Sequence, residues 1–193
     1  SKTLKVIEDE AARCSAIIKN LTVFSRRQEL NLKITDVKHI VQEVIEATRL
    51  QAEQSKIIIK FNKTQCAQDK CLVLVDKAQI KQVFLNLALN ALQAMPNGGL
   101  LTVDIFCESP KDASKNVKVC FTDTGCGIKK EDLKKVFTPF FTTHSSGVGL
   151  GLAVSHGIVE GHGGTLTVRS KEGQGSSFTV SLPHHLLGTS DPK

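Results

Sequence analysis

The chain has 193 residues, 40% hydrophobic and 23% charged, with a formal net charge of +6 and neither Trp nor Tyr. That length suits one globular domain of about 150 residues plus an attached element, and no run approaches the ~18 consecutive apolar residues of a membrane helix. The positive charge is interspersed with acid, as in Lys129-Lys-Glu-Asp-Leu-Lys-Lys135; this reads as a solvated face, and with no Trp or Tyr to stack on bases a nucleic-acid partner is disfavoured.

Residues 3 to 27 carry Leu4, Ile7, Ala11, Cys14, Ile18 and Leu21 at strict three-and-four spacing, widened by Ile17 and Phe24. This is the seam expected of a helix packed in a bundle, with a plain amphipathic surface helix as the alternative. Between residues 30 and 36 the pattern changes, which places a domain boundary there. A second helix is expected from the N-cap Asp36 to Ser55, with Val37, Ile40, Val41, Val44, Ile45 and Ala52 inward. Short strands follow over Ile57–Phe61 and Leu72–Val75, separated by a polar loop.

The helix expected from Lys77 to Met95 carries two stripes. Ile80, Phe84, Leu87 and Ala91 are apolar, whereas Gln79, Gln82, Asn86, Asn90 and Gln93 are uncharged amides. An exposed helix face normally carries Lys and Glu, and Asn is a poor helix former. Asn86 and Asn90, one turn apart, therefore point to a polar cavity. An Asn carbonyl is a hard oxygen donor suited to Mg²⁺; two amides capping neighbouring loops is the bland alternative.

Pro96-Asn-Gly-Gly99 is a turn, and Leu101, Val103 and Ile105 alternate as a strand. Val117, Val119 and Phe121 alternate likewise, and Asp123 falls in phase with them. A carboxylate carried inward is costly unless a donor meets it, so a bound group with an amine is expected. Gly125 and Gly127 let the chain turn and let that group approach closely. A long segment to Ser146, with Phe137, Phe140 and Phe141 as its apolar residues, reads as a functional loop. The cluster Gly147-Val-Gly-Leu-Gly151 then opens a helix through Val154 to Ile158, and such a helix start is a phosphate cradle. ATP offers both the amine and the phosphates. A dinucleotide-binding turn fits poorly, because these glycines follow a loop and not a strand. The last strands are expected over Thr165–Val168 and Ser176–Leu182. His156 and His162 serve packing or the surface, and the cysteines at 14, 66, 71, 107, 120 and 126 read as reduced thiols of a cytoplasmic protein.

The strings QVFLNLALNALQAM, DTGCGI, FTPFFTT, GVGLGLAVSHGIVEGHGGTL and GQGSSFTVSLP, in that order within residues 79 to 183, resemble the ATP-binding domain of bacterial sensor histidine kinases. The resemblance implies an α+β fold: a two-layer sandwich of a mixed sheet and helices, the Bergerat-type ATP-binding fold, with an N-terminal bundle helix. Residues 1–32 would be the second helix of the dimerisation hairpin, 33–185 the catalytic domain and 186–193 a disordered tail. It implies Asp123 for the adenine amine, Asn90 for Mg²⁺, and Asn86, Gly125, Gly127, Ile128, His144, Gly147, Val148, Gly149, Leu150, Gly151 and Ser177 around ATP or ADP. His144 takes a place where many relatives have Lys, and Ser177 resembles a residue near the adenine pocket.

The implied activity is transfer of the ATP γ-phosphate to a histidine and onward to a response regulator, in a homodimer joined through the N-terminal helix. The family's acceptor motif, a His followed by an acidic residue and then Pro, is absent; His39 lacks the acidic neighbour. This chain is expected to bind ATP without phosphorylating itself. It opens on Ser1 without an initiator Met, as expected of a fragment whose parent protein can be membrane-anchored. Related ATPases of this fold place a water-activating glutamate where this chain has Asn86. An amide is no general base at neutral pH, which favours transfer over an ATP-hydrolysing module or a nucleotide-binding scaffold, the two alternatives.

Overall fold

The computed structural model describes residues 30–65, 71–107, 116–143 and 148–184. The expected bundle helix over 3–27 and the tail over 186–193 lie outside the described residues.

Among the described residues, seven strands and three helices occur in the order β1 (Lys33–Asp36), α1 (Val37–Gln54), β2 (Ile57–Gln65), β3 (Leu72–Val75), α2 (Lys77–Gln93), β4 (Gly99–Cys107), β5 (Asn116–Asp123), α3 (Gly151–Gly161), β6 (Thr165–Lys171) and β7 (Gly175–Pro183). Five strands form one sheet in the order β2-β4-β5-β7-β6. β2 runs parallel to β4 and every other neighbour is antiparallel, so the sheet is mixed and the fold α+β. β1 pairs with β3 in a separate two-stranded ribbon. The sequence reading missed β1: four residues give too few alternations to register, and its partner lies about forty residues away.

One face of the sheet is apolar because each strand alternates in phase. Val103 and Ile105 of β4, Val117, Val119 and Phe121 of β5, and Val180 and Leu182 of β7 are all buried. Against them pack Ile80, Phe84 and Leu87 of α2, with Val37, Ile40 and Val44 of α1 and Val154, Ile158 and Val159 of α3 completing the core. The rings of Phe84 and Phe121 meet at 5.5 Å. The other face is polar and part-exposed; there Asn62 donates to Asp104 across β2 and β4 at 2.7 Å.

Helix α1 starts where Asp36 accepts from the Lys38 N–H, and α2 starts where Asp76 accepts from Ala78 and Gln79. The N–H of Asp76 donates to Nε2 of the buried His162, whose Nδ1 lies 2.8 Å from the Ile158 carbonyl. His162 thus joins the end of α3 to the start of α2, a packing role as expected. Cys71 Sγ, just before β3, lies 2.7 Å from Cys107 Sγ at the end of β4, and Cys120 and Cys126 are free thiols.

Glu43 of α1 receives both Lys77 and Lys81 of α2, at 2.6 and 2.7 Å. Hydrogen bonds from the two ammonium groups hold its carboxyl at about 2, below its ordinary 4.5. A depressed acid contributes stability above its unfolded pKa and loses it as pH falls through the folded one. Glu43→Gln should therefore lower the melting temperature slightly at pH 7 in low salt, and the difference should vanish as pH falls from 4.5 to about 2. Screening by 1 M salt should also erase it. Melts of both proteins in the two buffers check this; a difference insensitive to salt would mean that the pair is not the cause.

Candidate functional site

The amide stripe of α2, the end of β5, and the start of α3 converge on one cavity of about 420 Å³. Asn86, Asn90 and Gln93 line it from α2, Asp123 from β5, and Val148, Gly149, Leu150 and Gly151 from the approach to α3. Cys126, Gly127 and Ile128 close it on one side, and Val136 and Phe141 reach it from the long segment that precedes α3. The volume is that of an ordinary small-molecule site.

Asp123 arrives inward because it continues the buried parity of Val117, Val119 and Phe121, and it is 4% exposed. Its Oδ1 accepts from the backbone N–H of Gly125 at 2.8 Å and of Ser176 at 3.2 Å. Burial pushes the carboxyl above its usual range, and those two donors partly offset the shift. Among the described residues, Oδ2 takes no hydrogen bond from another residue. An amine donor from a ligand answers that vacancy in kind.

The turn after Asp123 is wedged between two elements. The N–H of Cys126 donates to the carbonyl of Ala94 at the end of α2, and the carbonyl of Cys126 accepts from Gly173 in the β6–β7 hairpin at 2.7 Å. Gly127 sits at φ 68, and a Cβ there would lie 2.1 Å from the Lys171 carbonyl oxygen. Only glycine meets both demands. The N–H of Ile128 donates to Ser170 Oγ at 2.8 Å.

Helix α3 lies so close to α2 that a Cβ on Gly151 would fall 2.4 Å from Asn86 Oδ1. Asn86 Nδ2 donates to the buried Ser155 Oγ at 3.0 Å, which fixes the amide against α3. Leu150 at the helix N-cap makes no side-chain cap bond, and the first turn holds no acidic residue. Among the described residues no side chain caps the first turn, whose N–H groups and positive dipole end suit an anion. Gly149 accepts from the Phe140 N–H at 2.9 Å, and the Phe137 ring stacks on His156 of α3 at 4.9 Å. These two contacts seat the long segment beside the cleft.

Of the residues singled out from sequence, Asn86, Asn90, Asp123, Gly127, Ile128, Val148, Gly149, Leu150 and Gly151 line the cavity. Gly125 sits just behind it, donating to Asp123, and His144 and Gly147 lie outside the described residues. Ser177 is placed elsewhere, a correction. Its Oγ meets Thr122 Oγ1 and Cys120 Sγ, both at 3.0 Å, on the polar side of the sheet. Ser176 and Phe178 hold the cavity side. The period of two explains the slip, because one residue of register moves a side chain to the other face. Counting back from Phe178, Val180 and Leu182 would have selected Ser176. Sequence reasoning also passed over Ser170, whose role shows only once β6 lies beside β7.

Residues 75–186 match the family described as histidine kinase-, DNA gyrase B-, and HSP90-like ATPase. The sensor histidine kinase ZraS of Escherichia coli K12 is 35% identical over 93% of this chain, which spans 37% of that relative's length. The catalytic domain of the histidine kinase ThkA superposes with a TM-score of 0.68 at 28% identity, covering 80% of this chain and 96% of that one. ThkA in complex with the response regulator TrrA gives 0.77 at 26% identity, covering 96% of this chain and 51% of that one. Among the described residues no helix is long and apolar enough to cross a membrane. Matched over more than half its length, the chain belongs to the histidine kinase-, DNA gyrase B- and HSP90-like ATPase family, and its described fold is that of histidine kinase catalytic domains.

Proposed function

We propose that the chain holds ATP with Mg²⁺ in this cleft and transfers the γ-phosphate to a histidine on a dimerisation helix, for relay to an aspartate of a response regulator. The observation that carries the reading is the convergence of Asp123, the Asn86 and Asn90 amides and the α3 N-terminus on one cavity. Asp123 accepts from the adenine amine. The backbone around Val148 to Gly151 and the α3 N-terminus take the phosphates, with His144 and Gly147 assigned to the same end. Mg²⁺, when bound, neutralises charge on the phosphates, and Asn90 supplies the hard oxygen that suits it. Asn86 stands where a hydrolase carries a glutamate, and its Nδ2 is already engaged by Ser155. No general base faces the γ-phosphate from that position, so the cleft stores ATP for transfer, which is largely a matter of positioning.

The acceptor histidine is supplied by a hairpin whose motif this chain does not contain, and residues 1–32 would pair as its second helix in a homodimer. ThkA, a structural neighbour, is bound to a response regulator, which supports the same class of partner here.

The test is incubation with γ-labelled ATP and Mg²⁺, with and without a fragment carrying the cognate acceptor hairpin. Acid-labile label on the added fragment alone is the expected result. Steady phosphate release without transfer would move the chain to the hydrolase reading. Asn90→Ala should lower affinity for ATP in Mg²⁺ about tenfold and leave Mg²⁺-free binding little changed. Titration calorimetry with and without chelator reads both values. Unchanged affinity in Mg²⁺ would support a site that is only structural.

A further inference from the structure

Ser170 of β6 and Ser176 of β7 are register partners on the helix-facing side of the sheet. Ser170 Oγ has three hydrogen-bond neighbours: the Ile128 N–H at 2.8 Å, the Gly175 carbonyl oxygen at 2.8 Å and Ser176 Oγ at 2.9 Å. A hydroxyl has one proton and two lone pairs. A carbonyl oxygen has no proton to give, so the bond to Gly175 uses the proton of Ser170. The Ile128 N–H takes one lone pair. The remaining contact, with Ser176, must then be accepted by Ser170, and the Ser176 proton points at Ser170.

Ser176 is 6% exposed and lines the cavity, and its backbone N–H donates to Asp123 Oδ1. With its hydroxyl proton committed to Ser170, its side chain offers the cavity lone pairs only. Asp123 Oδ2 beside it is an acceptor as well.

We propose that Ser170 is a positioning residue for base selectivity: by taking the Ser176 proton it makes this end of the cleft acceptor-only, so that the cleft takes a purine bearing an exocyclic amine and rejects one bearing a carbonyl there. The inference rests on the nucleotide reading above and adds the residue that sets hydroxyl polarity without touching the ligand.

The discriminating pair of ligands is ATP and ITP, which differ at that amine. By calorimetry, the wild-type chain should bind ATP about 100-fold more tightly than ITP, as a site built for one hydrogen-bonding pattern does. Ser170→Ala frees the Ser176 proton to rotate toward the base carbonyl, and the ATP:ITP ratio should fall about tenfold. Ser170→Thr, which keeps the hydroxyl, should restore it. Should the Ala variant fail to fold, Ser170→Cys, nearly isosteric but a weak hydrogen-bonding group, should show the same fall. A ratio unchanged in the variants, with both affinities dropping together, would mean that Ser170 only packs, and the inference falls while the nucleotide reading stands. A wild-type chain that binds neither nucleotide overturns both.

Discussion

Asp123→Asn should weaken ADP binding by about 100- to 1,000-fold while leaving the fold intact. The substitution is nearly isosteric. The Asn carbonyl oxygen keeps accepting from Gly125 and Ser176, as Oδ1 does now. Its NH₂ then occupies the place from which Oδ2 faces the cavity, so a donor meets the donor of the adenine amine. The stability consequence has the opposite sign. Burial raises the Asp123 carboxyl, and a group whose folded pKa is raised contributes stability fully present below its unfolded value and lost as pH rises through the folded one. As pH rises above the ordinary 3.8 the wild-type chain without ligand therefore loses stability that the non-titrating Asn variant does not lose. The variant should melt no lower than the wild type at pH 7, and its relative position should decline as pH drops toward the ordinary 3.8. Calorimetry with ADP and a pair of melts at pH 7 and pH 4 read both effects. ADP bound as tightly as before would remove Asp123 from the adenine site.

Gly127→Ala should strongly destabilise the fold. Two costs add. Alanine in the left-handed region at φ 68 costs about 1–2 kcal/mol. The new Cβ, 2.1 Å from the Lys171 carbonyl oxygen, cannot be relieved by a rotamer change because its neighbour is backbone. The β6–β7 hairpin must move, and that hairpin carries Ser170, Ser176 and the Gly173 N–H that holds Cys126. A total of about 2–4 kcal/mol is expected, with nucleotide affinity falling as well because the Ser176 donor to Asp123 moves with the hairpin. Gly157, inside α3 with nothing within 4 Å of its missing Cβ, is the internal control. There alanine should be neutral or stabilising by up to about 1 kcal/mol. Urea unfolding midpoints of the two variants give the comparison, and equal midpoints would contradict the wedge described for the turn.

A reader of residues alone could go far with this chain because its elements are locally consistent. Helices α1 and α2 begin at Asp caps, and their apolar stripes match the buried residues Val37, Ile40 and Val44 in one and Ile80, Phe84 and Leu87 in the other. The inward Asp123 and the amide stripe were visible as chemistry out of place: a carboxylate in a core phase, and uncharged amides where Lys and Glu belong. All the differences but one are non-local. β1 pairs with a strand far along the chain. Ser177 was chosen over Ser176 although the β7 alternation separates them. The contact of Phe137 with His156, which seats the long segment on α3, joins two stretches with no shared period.

By itself, then, the order of residues determined which faces are apolar, where each helix starts, where glycine is compulsory, and which donors and acceptors are available for a nucleotide. These follow from periodicity, caps and side-chain chemistry, all properties of a few consecutive residues. Tertiary structure alone decided how those groups are aimed. Asn86 is pinned by Ser155 across 69 residues; Asp123 receives a donor from Ser176 across 53; Ser170 collects Ile128 from the turn 42 residues before it. A hydroxyl or an amide has no direction until its partners are in place. Strand register and helix packing supply those partners, and no local pattern encodes them.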